Sequence, residues 1–300
     1  MTILDDARFH ELLRMRAEEP HALFDKAEQR HRRSMTAGDG NVLIVAFDHP
    51  GRRILGVGSD ASAMADRRAA LERCIRALRR PGVDGILATP DVAEDLLLLD
   101  ELHDKLVFGS MNRGGLTGSA WELDDRFTAY RPEVISRLGF DGGKMLLRLD
   151  YSDPGTNATI EACARAVDEL ADRRLLAMVE PLPVRRQADG TVEVVTDIEL
   201  VVEAVAVASA LGSPSVYTWL KLPAVEEPEP MMAATTLPSL ILGGDPGSKG
   251  EHLLDLWRRA MGIPNVRGLT AGRSLLYPAD GEVERWVDVA ASIVHGASHG

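Results

Sequence analysis

Eight short runs of apolar residues recur along the chain, most of them followed by a stretch with apolar positions at helical spacing. The runs cover residues 41–47, 85–89, 106–109, 144–149, 175–179, 215–220, 239–242 and 266–270. A strand that is apolar on successive residues is buried on both faces and therefore parallel, whereas a strand with one wet face alternates. Helical spacing predicts helices over 91–105, 158–173, 198–211, 250–261 and 282–295. Eight strand–helix units over about 250 residues predict a closed (β/α)8 barrel rather than an open doubly wound sheet. A dinucleotide-binding sheet would carry G-x-G-x-x-G after its first strand. Here that turn reads Asp48-His49-Pro50-Gly51-Arg52-Arg53, which excludes it.

Residues 1–40 read differently. They are helical and polar, with Leu12, Leu13, Leu23 and Phe24 as packing positions, and Thr36-Ala-Gly-Asp-Gly40 breaks them from the first strand. This predicts an N-terminal helical extension over 1–40 lying against a barrel over 41–300, with no Pro/Gly/Ser linker dividing the latter. The composition, 45% hydrophobic and 27% charged, is that of a globular chain. A net charge of −12 argues against nucleic acid or an anionic membrane as partner, since both demand a basic surface. It leaves room for a small anion held by a few converging cations. Cys74 and Cys163 each fall within a helical stretch and read as small buried thiols of a reducing compartment. No apolar run approaches the ~20 residues of a membrane span. The charged N-terminus has no signal-peptide core, so a cytoplasmic protein is expected.

In such a barrel the chemistry sits at the C-terminal strand ends. The ionisable residues on or closing the apolar runs are Asp48, Lys144, Arg148, Glu180, Lys221 and Arg273. Lysine and glutamate are rarely buried without a partner, so their convergence in one barrel is a constellation. Lys221, within Tyr217-Thr-Trp-Leu-Lys-Leu-Pro223, shares a strand face with Trp219 by the two-residue period. An amine desolvated there, near a second cation such as Lys144, sheds its proton more readily and can attack a ketone. The resulting iminium is an electron sink for carbon–carbon cleavage. The plainer alternative is a lysine snorkelling out of the barrel mouth. Glu180 is placed to move protons during carbinolamine formation and dehydration, and an ion pair with either lysine is compatible with that role. Asp48 either orients a substrate hydroxyl and takes its proton or caps the turn that follows it. Gly243-Gly244 and Gly272-Arg273 close the seventh and eighth runs, where barrels commonly hold phosphate on backbone N–H groups. Arg148 and His49 are further candidate substrate contacts. None of the eight histidines forms an HxH or HExxH pair and only His49 lies at a strand end, so neither a metal nor another cofactor is expected.

Taken in order, Ala46-Phe-Asp-His49, Gly143-Lys144, Val179-Glu-Pro-Leu182, Trp219-Leu-Lys-Leu-Pro223, Gly243-Gly244 and Gly272-Arg273 resemble the bacterial and archaeal class I aldolases. That group includes tagatose-bisphosphate, archaeal-type fructose-bisphosphate and sulfosugar-phosphate aldolases. The chain is also similar to an actinobacterial deoxyribose-phosphate-aldolase-like subgroup associated with inositol breakdown. The resemblance spans residues 41–295 and rests on the order of short motifs. It implies Lys221 as the Schiff-base lysine, Glu180 as acid/base, Lys144 as a substrate-contacting cation and Asp48 as the hydroxyl-binding carboxylate. Glu180-Pro-Leu is similar to the tagatose-bisphosphate branch, whereas the archaeal-type branch places a tyrosine on that strand. The turn Asp48–Arg52, Arg113-Gly-Gly and Leu147-Arg-Leu depart from the pattern, so bisphosphate specificity does not carry over. Arg52, Arg113 and Arg148 instead suggest an acidic group at the far end of the substrate, as in 2-deoxy-5-keto-gluconate 6-phosphate. The resemblance implies cleavage to dihydroxyacetone phosphate and an aldehyde, and since barrels of this kind usually associate a homo-oligomer is expected. The alternatives are a non-catalytic sugar-phosphate-binding barrel and a barrel isomerase or thiolase-like transferase using the same lysine.

Overall fold

A computed structural model describes residues 3–35, 38–244 and 250–296. Its strands are β1 (Val42–Phe47), β2 (Gly85–Ala88), β3 (Leu106–Ser110), β4 (Gly142–Leu149), β5 (Leu176–Arg186), β6 (Val192–Val194), β7 (Thr218–Leu222), β8 (Ser239–Leu242) and β9 (Val266–Ala271). All but β6 pair in parallel. β4 pairs with β5 and β9 returns to β1, closing an eight-stranded barrel. The helices are α1 (Asp6–Glu18), α2 (Ala22–Gln29), α3 (Arg67–Leu78), α4 (Pro90–Leu98), α5 (Pro132–Arg137), α6 (Pro154–Ala171), α7 (Ile198–Ser209), α8 (Pro228–Ala233), α9 (Gly250–Met261), α10 (Arg273–Leu276) and α11 (Val283–His295). The architecture is the expected (β/α)8 barrel.

The pleat sorts the apolar runs into two cores. Val42, Ile44 and Ala46 point inward and meet Leu87, Leu106, Phe108, Met178, Leu240 and Trp219. Leu43, Val45 and Phe47 point outward into the larger core under the helices. Each such side chain contributes about 1.5–3 kcal/mol on burial, which is why both faces of every strand are apolar. Met35, in the segment leading to β1, packs against the inner core. Following the same two-residue period, Asp48 succeeds Ala46, Ser110 succeeds Phe108, Glu180 succeeds Met178 and Lys221 succeeds Trp219. A polar layer therefore sits on a dry plug. Close strand packing demands glycine at one point in particular. Gly268 has φ +139°, and a Cβ there would meet the Val42 carbonyl oxygen at 1.9 Å.

Several boundaries differ from the periodicity. α4 stops at Leu98, not residue 105, because Asp100 and Asp104 take positive φ values of 59° and 55°. β7 begins at Thr218, since Ser215–Tyr217 form a 3-10 turn, so Lys221 lies within its strand rather than just beyond it. β5 runs on past Glu180 to Arg186 and folds back antiparallel as β6, a hairpin that no periodic signal announced. Helix starts follow their caps: the Asp66, Asp153 and Asp197 side chains accept from the first-turn N–H groups of α3, α6 and α7, as N-caps do. Cys74 and Cys163 are buried in α3 and α6, and burial pushes the Cys74 thiol up to about 12.

In the N-terminal segment Leu12 is buried, Leu23 and Phe24 are half-buried, and Leu13 is 50% exposed, contrary to expectation. Leu4 takes its place, fully buried. Arg8 pairs with Glu101 and Arg16 with Glu94 and Asp95, tying α1 to the α4 region. Buried Arg30 donates to the carbonyls of Leu102, Lys105 and Gly139. Of the break expected after these helices, Thr36 and Ala37 lie outside the described residues.

At the last turn of α11, His295 meets Asp39 at 3.0 Å, Asp84 at 3.2 Å and the Gly82 carbonyl at 2.9 Å. The hydrogen bond to Asp84 outweighs partial burial, and Asp39 adds to it, raising His295 to about 9. A raised histidine stabilises the fold fully below its unfolded value of about 6.5 and ceases to do so as pH rises through about 9. His295→Asn should therefore cost about 2 kcal/mol in urea unfolding at pH 6, and the difference should vanish above pH 9.

Candidate active site

The polar layer is a chain of alternating charges. Lys221 Nζ, on β7, lies 2.8 Å from Oε1 of Glu180 on β5. The other oxygen of Glu180 accepts from Lys144 on β4, and Lys144 Nζ lies 3.3 Å from Oδ2 of Asp48 at the end of β1. Arg113, in the loop after β3, donates to that same Oδ2, and Ser110 Oγ lies 3.4 Å from it. All four expected catalytic residues are thus brought together and all are buried. No single strand could have shown it, because they come from four different strands and up to 173 positions apart (221 minus 48).

Burial by itself disfavours every one of these charges. For Asp48, burial would raise the carboxyl, but Arg113 and Lys144 overcome it and hold it well below the usual range. Glu180 behaves alike: burial opposes ionisation, Lys144 and Lys221 outweigh it, and the net value falls to about 2. Lys144 moves down from the ordinary lysine value, because burial and the nearby cations exceed the pull of Asp48 and Glu180. Both carboxylates are therefore ionised proton acceptors, and Lys144 is a stronger acid than a free lysine. His49 is neutral: burial lowers it to about 3 despite Asp48.

This layer forms the floor of a cavity of about 890 Å³. Gly243, Gly244, Gly272 and Arg273 lie along it, as do Arg52, Arg113 and Arg148, and Leu182, Val184, Val192 and Val194 of the β5–β6 hairpin. The glycines have packing reasons as well. A Cβ at Gly243 would meet Ser274 Oγ at 2.2 Å, and one at Gly272 would meet the Ala46 carbonyl at 2.3 Å and the His49 ring at 2.8 Å. Their absent side chains let the turns after β8 and β9 close on β1 and α10.

The arginines are engaged in ways the sequence did not reveal. Arg52 pairs with Asp125 at 2.5 Å and donates to the carbonyls of Asn112 and Gly115. Arg148 donates to Glu122, to its carbonyl and to that of Gly115, with Asp125 3.6 Å away. The Asn112 amide bonds Asp125 and the Leu146 carbonyl. Arg148 therefore lines the cavity while clamping the loop after β3, and the acidic substrate end suggested for Arg52 and Arg148 would compete with Asp125 and Glu122. Asn112, Glu122 and Asp125 were not legible, because polar residues in a glycine-rich loop carry no periodic signal, and Ser110, the last residue of β3, lay one position past the apolar run. Among the described residues no group of three His, Cys, Asp or Glu side chains is arranged to hold a metal. No described helix is long and apolar enough to cross a membrane.

The fold and this layer define a (β/α)8 barrel with a buried lysine–carboxylate site at its C-terminal mouth. The chain belongs to the Cgl0159-like family, whose profile matches residues 40–291. It is similar to the crystal structure of Cgl0159 from Corynebacterium glutamicum (Brevibacterium flavum), 46% identical over 99% of both chains with a TM-score of 0.95. An archaeal fructose 1,6-bisphosphate aldolase is 20% identical over 91% of this chain and 99% of its own, with a TM-score of 0.65. An archaeal fructose-1,6-bisphosphate aldolase with its catalytic Lys covalently bound to the carbinolamine intermediate is 21% identical over 91% and 100%, with a TM-score of 0.66. At that identity the likeness to the two aldolases is one of fold. No curated protein sequence matches.

Removing one partner of a buried ion pair strands the other charge, at a cost of about 3–5 kcal/mol. Arg52→Met and Asp125→Asn should each destabilise by about that order. In a double-mutant cycle read by urea unfolding the two should couple by at least about 1 kcal/mol, the double variant losing less than the sum.

Proposed function

We propose that the protein is a class I aldolase that cleaves a phosphorylated ketose or keto-acid to dihydroxyacetone phosphate and an aldehyde. The observation that carries this reading is the Lys221–Glu180–Lys144–Asp48 chain, a buried amine with proton acceptors and a donor within direct reach on the floor of a cavity. Ser–His or metal-hydroxide chemistry would need a different set of side chains. Alternating amines and carboxylates suit an imine.

The steps follow from the positions. Glu180, 2.8 Å from Nζ, accepts a proton from Lys221, and the freed amine attacks the ketone carbon. Lys144, an acid strengthened by burial, protonates the carbinolamine hydroxyl, which departs as water and leaves the iminium. Asp48 takes the proton of the hydroxyl on the far side of the scissile bond. As that carbon–carbon bond breaks, its electron pair moves into the iminium to give the enamine, and the aldehyde forms. The enamine carbon takes the proton that Glu180 accepted. Water hydrolyses the new iminium to dihydroxyacetone phosphate and the free amine of Lys221 with release of a proton to Lys144, and the proton held by Asp48 restores the Lys221 ammonium. The substrate phosphate is assigned to Gly243, Gly244, Gly272 and Arg273, where backbone N–H groups and a guanidinium suit an anion. His49, neutral beside Gly272, adds a dipole without a charge.

The test is product analysis over a panel of ketose bisphosphates, ketose 1-phosphates and phosphorylated keto-acids, 2-deoxy-5-keto-gluconate 6-phosphate among them. At least one should yield dihydroxyacetone phosphate. Lys221→Met should abolish that yield, and Glu180→Gln should lower kcat by about 10²–10⁴-fold. Full turnover in Lys221→Met would overturn the Schiff-base route. Panel members that bind without reacting would favour a non-catalytic sugar-phosphate-binding barrel.

A further inference from the structure

The Asp48 carboxylate is unevenly used. Its Oδ2 receives Arg113, Lys144 Nζ at 3.3 Å and Ser110 Oγ at 3.4 Å. Its Oδ1 accepts no hydrogen bond among the described residues, and His49 Nδ1 lies 4.0 Å from it. Asp48 nevertheless lines the cavity. A buried carboxylate with every protein donor gathered on one oxygen presents the other to whatever enters.

Arg113 occupies a particular place in that arrangement. It is 8% exposed, and Asp48 is its one carboxylate partner among the described residues. The two arginines beside it are spoken for: Arg52 holds Asp125, and Arg148 holds Glu122. Both pairs fasten residues 112–125, the loop on which Arg113 rides, to the first and fourth strands' ends.

We propose that Arg113 is a positioning residue for carbon–carbon cleavage, pinning Oδ2 of Asp48 so that Oδ1 alone is offered to the hydroxyl whose proton must leave. This rests on the aldolase reading for the hydroxyl, but the pinning itself is a property of the resting protein. Arg52 and Arg148 serve it at one remove by fixing the loop. The cluster of arginines is then a scaffold around a proton acceptor rather than a second anion site, and the aldehyde half of the substrate is held through a hydroxyl.

Charge has a direction here. The groups facing Asp48 are His49 beside it, Ser110 from β3, Arg113 from the loop, Lys144 from β4, Glu180 beyond it on β5 and Lys221 from β7. Arg273 and neutral His49 line the same cavity. Burial and Glu180 favour the protonated acid, whereas Arg113, Lys144 and Lys221 favour the carboxylate. Deleting the guanidinium removes the foremost of the three cations, so Asp48 must bind its proton more tightly and the carboxylate must be lost at a higher pH.

The experiment is an infrared titration of the protonated-carboxyl stretch, with Asp48→Asn identifying the band that belongs to Asp48. In Arg113→Gln the midpoint should rise by at least about one pH unit, and Arg113→Lys, which keeps a cation, should restore most of the difference. Unchanged midpoints would overturn the proposal whether or not the protein is an aldolase, because the titration requires no substrate. With a substrate cleaved by the wild type, the acid limb of kcat/KM should move up by the same amount in Arg113→Gln and return in Arg113→Lys. A uniform drop in rate with no movement of that limb would reduce Arg113 to a loop anchor. Should Arg113→Gln fail to fold, Arg113→Met, which keeps the aliphatic stem and removes the cation, decides by the same midpoint: a rise supports the proposal and an unchanged value overturns it.

Discussion

Four charges buried in one layer set the terms for the rest of this molecule. Glu180 lies between Lys144 and Lys221, and Asp48 between Lys144 and Arg113. Taking any of these groups out of water alone is prohibitive, at several kcal/mol each even after relaxation. They persist because each has an opposite charge in direct contact, held by a strand that cannot move. The barrel supplies that rigidity. Its inner core of Val42, Ile44, Ala46, Phe108 and their neighbours fixes the strands below the layer, and the period of two then aims the next inward residue of each strand at the same point.

The mouth is organised around the layer rather than beside it. The loop after β3 is long, rich in glycine and irregular, yet it carries Arg113. Two buried arginine–carboxylate contacts, Arg52 with Asp125 and Arg148 with Glu122, hold it down. The glycines after β8 and β9 let the opposite wall come close to β1 and α10. The cavity between them has two amines and two ionised carboxylates at its floor. Such a floor can move protons in both directions without a metal or a diffusible base.

How much of this was written in the sequence depends on how local each feature is. The eight apolar runs and the barrel they imply were readable, since burial on both faces leaves an unbroken hydrophobic stretch. Lys221 and Glu180 stood out because each interrupts such a stretch. Lys144 could be read as a neighbour of Lys221 and a partner of Glu180, whereas the contacts of Asp48 with Lys144 and Arg113 could not, since they depend on barrel closure. The loop residues Glu122, Asp125 and Asn112 were invisible, so Arg52 and Arg148 were read as contacts for an acidic substrate end with no sign of the carboxylates they bind. A guanidinium's partner is a tertiary fact. The β5–β6 hairpin was missed because three half-exposed residues, Val192–Val194, offer no period, and Leu13 was placed in the core where Leu4 is found.

On the aldolase reading Lys221, rather than its neighbour Lys144, becomes covalently bound to a ketone. Borohydride reduction in the presence of dihydroxyacetone phosphate, followed by mass mapping of the peptides, reads this directly. One irreversible adduct is expected, on the peptide carrying Lys221, absent when the ketone is omitted. An adduct on Lys144, or none at a ketone concentration that saturates binding, would contradict it.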